Sequence, residues 1–90
     1  MKRAHIIVSG VVQGVFYRAF TRDNAMLLRL VGWARNLPNG DVEITVEGNK
    51  KEINEFIKRL RKGPYSSRVD ELSVDWEESK KEFSGFDIVR

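Results

Sequence analysis

The chain has 90 residues, 41% of them hydrophobic, which is enough for a single compact domain over residues 1–90 and too little for two. It contains no cysteine, which excludes disulfides, thiolate nucleophiles and cysteine-ligated zinc and fits a cytoplasmic, reducing environment. Sixteen basic and thirteen acidic residues give a net charge of +3 but are mixed along the chain, so basic charge alone is weak support for a nucleic-acid partner.

The first half of the chain predicts a strand, a helix and a hairpin. Residues 4–8 are rich in β-branched side chains, and polar residues and glycine interrupt the apolar run before it could form an export signal or a membrane span. Residues 17–28 are long enough for a helix. Residues 31–35 and 42–46 flank the turn sequence NLPNG at residues 36–40, which predicts two hairpin strands.

The end of the first helix does not follow the usual pattern. Arg29 stands where a helix-ending glycine is expected. Met26 and Leu27 fall largely outside the predicted buried line of this helix, and the sequence offers no account of them.

The second helix has the clearest signals. Asn49 is the predicted N-cap, with Glu52 three residues later to close a capping box, and the helix is expected to stop at the Gly-Pro pair of residues 63–64. Its apolar side chains form one stripe, made of Ile53, Phe56, Ile57 and Leu60.

Two further strands are predicted after the second helix. Apolar and polar residues alternate over residues 72–76 and again over residues 86–88. The order is therefore β-α-β-β-α-β with a terminal strand. This order predicts an α+β fold, a ferredoxin-like split βαβ sandwich with an antiparallel sheet and two helices on one face.

The segment most indicative of function is residues 10–18, with the sequence GVVQGVFYR. It joins a strand to a helix through two glycines and ends in Arg18. Glycine lets main-chain N–H groups turn inward, the helix N-terminus favours an anion, and a guanidinium offers a planar fork to phosphate oxygens. The segment lacks the Gly-Lys-Ser/Thr ending of a nucleotide P-loop, so ATP is not the expected substrate.

This segment, followed by GWARN at residues 32–36, by Gly40 and Val42, and by Gly48, resembles the two signature motifs of the acylphosphatase family. The match has the family's spacing, and the order of elements agrees over essentially the whole chain. The departure is Arg29, where the family commonly has glycine.

The resemblance implies a hydrolase that cleaves the carboxyl-phosphate bond of acyl phosphates, with no metal and no cofactor. It implies that Arg18 binds the phosphate and that Asn36 positions the attacking water. The phosphate cradle would be the backbone of Gln13, Gly14, Val15, Phe16, Tyr17 and Arg18. We expect a monomer whose partner is a small acyl phosphate, with no nucleic acid and no membrane.

The chemistry of this reaction agrees with what the chain contains. A carboxylate, with a pKa of roughly 4, leaves without being protonated, so no general acid is required. Positioning and electrostatic stabilisation should then dominate. Taken singly, Arg18 could be a surface arginine and Asn36 a turn former, and it is the complete motif that favours their functional roles.

Two alternatives remain at this stage. RNA-recognition domains share the predicted order of elements, although the third strand here carries acidic Glu43 and Glu47 on its polar face, which would repel phosphates. A regulatory domain of a larger maturation protein is the other alternative.

His5, the only histidine, is expected on the open sheet face without a carboxylate partner, and hence outside any metal site or triad.

Overall fold

The structure of the chain, a computed structural model, describes residues 1–89 and has the predicted order of elements. The elements are β1 (Lys2–Val11), α1 (Tyr17–Leu27), β2 (Val31–Asn36), β3 (Val42–Gly48), α2 (Lys50–Lys62), β4 (Arg68–Glu78) and β5 (Phe86–Ile88).

The strands form one sheet in the order β4-β1-β3-β2-β5. Strand β1 pairs antiparallel with β3 and β4, and β2 pairs antiparallel with β3 in the predicted hairpin. The terminal strand β5 pairs parallel with β2, so the five-stranded sheet is mixed. The predicted α+β ferredoxin-like fold is confirmed.

The core lies between one face of the sheet and the two helices. Alternate residues of the sheet point into it, because successive side chains of a strand face opposite sides. One buried cluster joins the sheet to residues of both helices. Its sheet residues are Ala4, Ile6, Val8, Ala34, Val42, Ile44, Val46 and Phe86.

Helix α2 buries the predicted apolar stripe, and Ile53, Phe56 and Leu60 have no exposed surface. The helix ends at Lys62, and Gly63 follows with φ +68° before Pro64. Asn49 occupies the N-cap position, but the predicted capping box is wrong, because the Asn49 side chain makes no cap hydrogen bond. Asn49 is exposed, so water can reach the first N–H groups of the helix instead.

Helix α1 ends in a Schellman motif that glycine would ordinarily complete. The N–H of Leu30 donates to the carbonyl of Ala25 at 2.8 Å, and that of Arg29 donates to Met26 at 3.1 Å. Arg29 has φ +58°, in the left-handed region. An arginine thus adopts the backbone conformation that the sequence pattern assigns to glycine. Leu27, which precedes the turn, is 75% exposed.

Candidate active site

Arg18 and Asn36 line one cavity of about 320 Å³, although they belong to different elements. Arg18 is the second residue of α1, and Asn36 is the last residue of β2. The remaining lining residues are Val12, Gly14, Phe16, Tyr17, Ala19 and Ile88. The two residues predicted to be catalytic therefore lie around one cavity, beside the loop that resembles a phosphate cradle.

The loop between β1 and α1 takes its shape from two residues in the left-handed region. Gly14 has φ +74°, and Phe16, the N-cap of α1, has φ +63° and ψ +23°. Left-handed residues alternating with ordinary ones turn successive N–H groups to the same side and form a concave anion site. Phe16 is a non-glycine residue in this region, and its side chain is 82% exposed, so no packing accounts for its conformation.

The N–H groups of this loop are free to bind a ligand. The hydrogen bonds found among residues 1–89 include none donated by the N–H groups of Gly14, Val15 or Phe16. The first N–H groups of a helix also lack partners within the helix, and they carry its positive dipole end. The loop and the start of α1 together can therefore bind an anion.

Among the described residues 1–89, Arg18 is the one that adds a full positive charge to the cavity lining. The residue is half-buried, and within the described part of the chain no carboxylate pairs with its guanidinium. Arg22, one turn further along α1, differs in that it pairs with Asp23 at 3.4 Å. Arg18 thus has its five donors available for the oxygens of an anion.

Asn36 carries an unusual buried acceptor. Its Oδ1 is the one buried side-chain polar atom of residues 1–89 that has no hydrogen-bond partner. Such an atom costs about 1–3 kcal/mol, so its persistence beside a cavity indicates a missing donor. A water molecule bound in the cavity would supply that donor.

Gln13 contributes more than the backbone amide that the sequence suggested. Its side-chain Nε2 donates to the carbonyl oxygens of Leu37 and Asp41, both at 2.9 Å. These contacts tie the loop after β1 to the turn after Asn36. Sequence reasoning missed this role, because nothing local connects residue 13 with residues 37 and 41.

The side chain of Tyr17 is buried in the core and presents no polar group to the cavity. Only 1% of the residue is exposed, and its ring lies 6.0 Å from that of Phe20. Its part in the predicted cradle is therefore limited to the backbone, as the sequence analysis assumed.

His5 lies on the open sheet face, away from the residues that line the cavity. The expectation that it lacks a carboxylate partner is wrong: Glu43 Oε2 lies 2.7 Å from its Nε2, because β1 and β3 are neighbours. Arg35 Nε also donates to Glu43, at 2.6 Å. Burial alone would raise the pKa of Glu43, but the hydrogen bonds and the charge interactions with His5 and Arg35 together outweigh it and lower the pKa.

Neither a metal centre nor a membrane span is found in the described part of the chain. Residues 1–89 contain no group of three or more histidine, cysteine, aspartate or glutamate side chains placed to hold a metal ion. No helix of these residues combines the length and the apolar character needed to cross a bilayer.

A larger groove of about 610 Å³ runs along α2 and is lined by Leu28 and by helix residues of both charges, among them Lys51, Glu55 and Arg61. This groove contains no buried side-chain polar atom that lacks a hydrogen-bond partner, because within residues 1–89 the one such atom is Asn36 Oδ1. The smaller cavity is therefore the candidate active site.

Comparison with known proteins shows the family to which the chain belongs. The family model described as Acylphosphatase matches residues 4–88. The acylphosphatase of Aeropyrum pernix is 51% identical over 87 residues, which make up 96% of this chain and 86% of that protein. The acylphosphatase of Pelotomaculum thermopropionicum is 42% identical over 86 residues, 96% of this chain and 94% of that protein. The crystal structure of acylphosphatase from Bacillus subtilis superposes with a TM-score of 0.97 at 36% identity, covering 100% of both chains.

Proposed function

Because the chain belongs to the acylphosphatase family, whose enzymes hydrolyse acyl phosphates, we propose that Arg18 and Asn36 carry out this hydrolysis in the cavity that they share. The observation that carries the assignment is the unpartnered Oδ1 of Asn36, which is buried beside the cavity that Arg18 also lines.

The phosphoryl group binds to the loop and to Arg18. The N–H groups of residues 13–18 donate to its oxygens, and the guanidinium of Arg18 binds two of these oxygens through its fork. These donors are fixed before the substrate arrives, so they stabilise the charge that spreads over the phosphoryl oxygens without reorganisation.

Asn36 holds the attacking water. Its Oδ1 accepts a hydrogen bond from the water, whose lone pair is thereby directed at phosphorus. An amide does not change its charge near neutral pH, so Asn36 orients the nucleophile without acting as a base.

The reaction balances without a further group. The water oxygen forms a bond to phosphorus as the bond from phosphorus to the acyl oxygen breaks, and the electron pair leaves on the carboxylate. The water proton passes to a phosphoryl oxygen. An acyl phosphate dianion and water thus give a carboxylate and the dihydrogen phosphate monoanion.

We also propose that this hydrolysis is independent of metal ions. The carboxylate is a good leaving group with a pKa of roughly 4, and Arg18 supplies the positive charge that the transition state needs. Neither task calls for a Lewis acid. This part of the proposal is supported by the chemistry of the substrate and of the side chains.

The test measures hydrolysis of acetyl phosphate in ¹⁸O-labelled water with EDTA present, beside a plain phosphate monoester. We expect turnover of acetyl phosphate, at least about 100-fold slower turnover of the monoester because its alkoxide leaves poorly, and the label in inorganic phosphate. Label in acetate would place the attack at carbon and contradict the role of Asn36. Loss of activity with EDTA that Mg²⁺ restores would contradict metal independence.

A further inference from the structure

The side chain of Gln13 connects the two halves of the candidate active site. The residue lies in the loop after β1, and its Nε2 donates both of its hydrogens across the molecule, to Leu37 and to Asp41, at 2.9 Å each. Leu37 directly follows Asn36 in the chain. The amide of Gln13 therefore joins the anion-binding loop to the turn that directly follows Asn36.

The two carbonyl groups that Gln13 contacts belong to one closed turn. The N–H of Leu37 donates to the carbonyl of Asp41 at 2.8 Å, and the N–H of Gly40 donates to that of Leu37 at 3.1 Å. Each carbonyl oxygen thus accepts two hydrogen bonds, one from within the turn and one from Gln13, as its two lone pairs allow. The turn keeps its own bonds without Gln13, but it would lose its side-chain link to the loop.

We propose that Gln13 is a positioning residue for hydrolysis, which sets the distance between the bound phosphoryl group and the water held by Asn36. The proposal rests on the function proposed above for Asn36. The phosphoryl group and the water are held by different elements, so their alignment depends on how the loop and the turn are held together. A displacement of about 1 Å from the reactive geometry is enough to cost about 100-fold in rate.

The chemistry of the contact favours glutamine over similar side chains. One amide nitrogen provides two hydrogens for two carbonyl oxygens. Glutamate has the same length but no donor when it is ionised, and its charge would be repelled by both carbonyls. Methionine and leucine fill a similar volume and donate nothing, so they remove the link without adding a charge.

The test is a double-mutant cycle with Asn36. The kcat for acetyl phosphate is measured in the parent, Gln13→Met, Asn36→Ala and the double variant, together with the inhibition constant of inorganic phosphate. We expect Gln13→Met to lower kcat about 10-fold or more and to change the phosphate inhibition constant less than about twofold. In the Asn36→Ala background the same substitution should lower kcat less than about twofold, because no positioned water remains to be misplaced.

Asn39→Ala is the matched control. The Asn39 side chain accepts from the N–H of Asp41 at 3.0 Å and donates to its carboxylate at 3.1 Å, so it supports the same turn without contacting the loop. We expect this variant to keep kcat within about twofold of the parent. Gln13→Leu repeats the experiment should Gln13→Met fold poorly, with thermal unfolding measured for each variant.

The outcomes separate the two proposals. An equal loss of kcat from Gln13→Met in both backgrounds would reduce Gln13 to a structural residue and overturn the inference. Parent-like kcat in Gln13→Met and Gln13→Leu would overturn it as well. Parent-like kcat in Asn36→Ala would instead contradict the proposed function itself.

Discussion

The phenolic hydroxyl of Tyr17 donates a hydrogen bond of 2.6 Å to the carbonyl oxygen of Leu60. In a continuing helix that carbonyl would accept from the N–H four residues later, but this residue is Pro64, which has none. Tyr17 therefore satisfies a carbonyl that the end of α2 leaves without a partner, and α2 in turn anchors the first residue of α1, next to Arg18.

Replacement of Tyr17 by phenylalanine should destabilise the protein by about 1–2 kcal/mol, because it leaves a buried carbonyl without a donor. For a domain of this size that corresponds to a melting temperature lower by roughly 5–15 °C. Differential scanning calorimetry at pH 7 measures the change. A melting temperature equal to that of the parent would show that the Leu60 carbonyl finds another partner.

The same hydroxyl makes stability depend on alkaline pH. Burial raises the pKa of Tyr17, so the native hydroxyl stays protonated where the unfolded chain begins to ionise, at about pH 10. This contribution to the free energy of unfolding is complete below about pH 10 and is lost as the pH rises above it. The parent should therefore lose stability between pH 10 and 11 more steeply than Tyr17→Phe, as measured by urea unfolding at each pH.

Replacement of Arg18 by alanine should lower kcat/KM for acetyl phosphate by about 10³ or more, since the cavity loses the charge that binds and stabilises the phosphoryl group. Steady-state kinetics measures the change. Arg22→Ala is the control on the same helix, because Arg22 pairs with Asp23 outside the cavity lining. Similar losses in both variants would indicate a general effect of charge and not a phosphate contact.

Replacement of Asn36 by alanine should mainly lower kcat, by about 100-fold, because the water is no longer held in line. The inhibition constant of inorganic phosphate should stay within about twofold, since Arg18 and the loop still bind the anion. Steady-state assays with added phosphate give both values. The opposite pattern, weaker phosphate binding with an unchanged kcat, would assign Asn36 to binding.

Replacement of Arg29 by glycine should stabilise the protein by up to about 1 kcal/mol. Arg29 occupies the left-handed region at the end of α1, where glycine has no penalty from a Cβ atom. Arg29→Ala keeps that penalty and serves as the control, which should show no gain. Chemical denaturation of the three proteins compares their free energies of unfolding, and an equal gain in the alanine variant would attribute the effect to the loss of charge.

The ionised carboxylate of Glu43 should stabilise the protein near neutral pH, and this stabilisation should be lost in acid. Burial would raise its pKa, but hydrogen bonds and charge interactions with His5 and Arg35 together lower it, so the native carboxylate binds a proton less readily than the unfolded one. The contribution of Glu43 to the free energy of unfolding is present at pH values above its unfolded pKa of about 4.3. It is lost as the pH falls through the lower native pKa. Glu43→Gln should therefore show a shallower loss of melting temperature below about pH 4.5 than the parent. Glu71→Gln, at an exposed site, should keep the parent's acid dependence.

The predictions that the structure confirms depend on near neighbours in the chain. The stripe of α2 places Ile53, Phe56 and Leu60 in the core because residues three and four apart share a helix face. The alternation over residues 86–88 likewise places Phe86 in the core, whereas Leu72 and Val74 of β4 are only partly buried and Trp76 is exposed. The two spaced motifs are each local as well, and they make Arg18 and Asn36 the candidate site residues, which stays a prediction until the variants above are measured.

Only the tertiary structure decides how distant segments meet. The two hydrogen bonds of Gln13 join residues that are 24 and 28 positions apart, and that of Tyr17 reaches 43 positions along the chain. Arg29 adopts a backbone conformation that its own side chain disfavours, because the turn into β2 requires it. Sequence patterns report periodicity and local preference, whereas these contacts depend on which surfaces the packed core brings together.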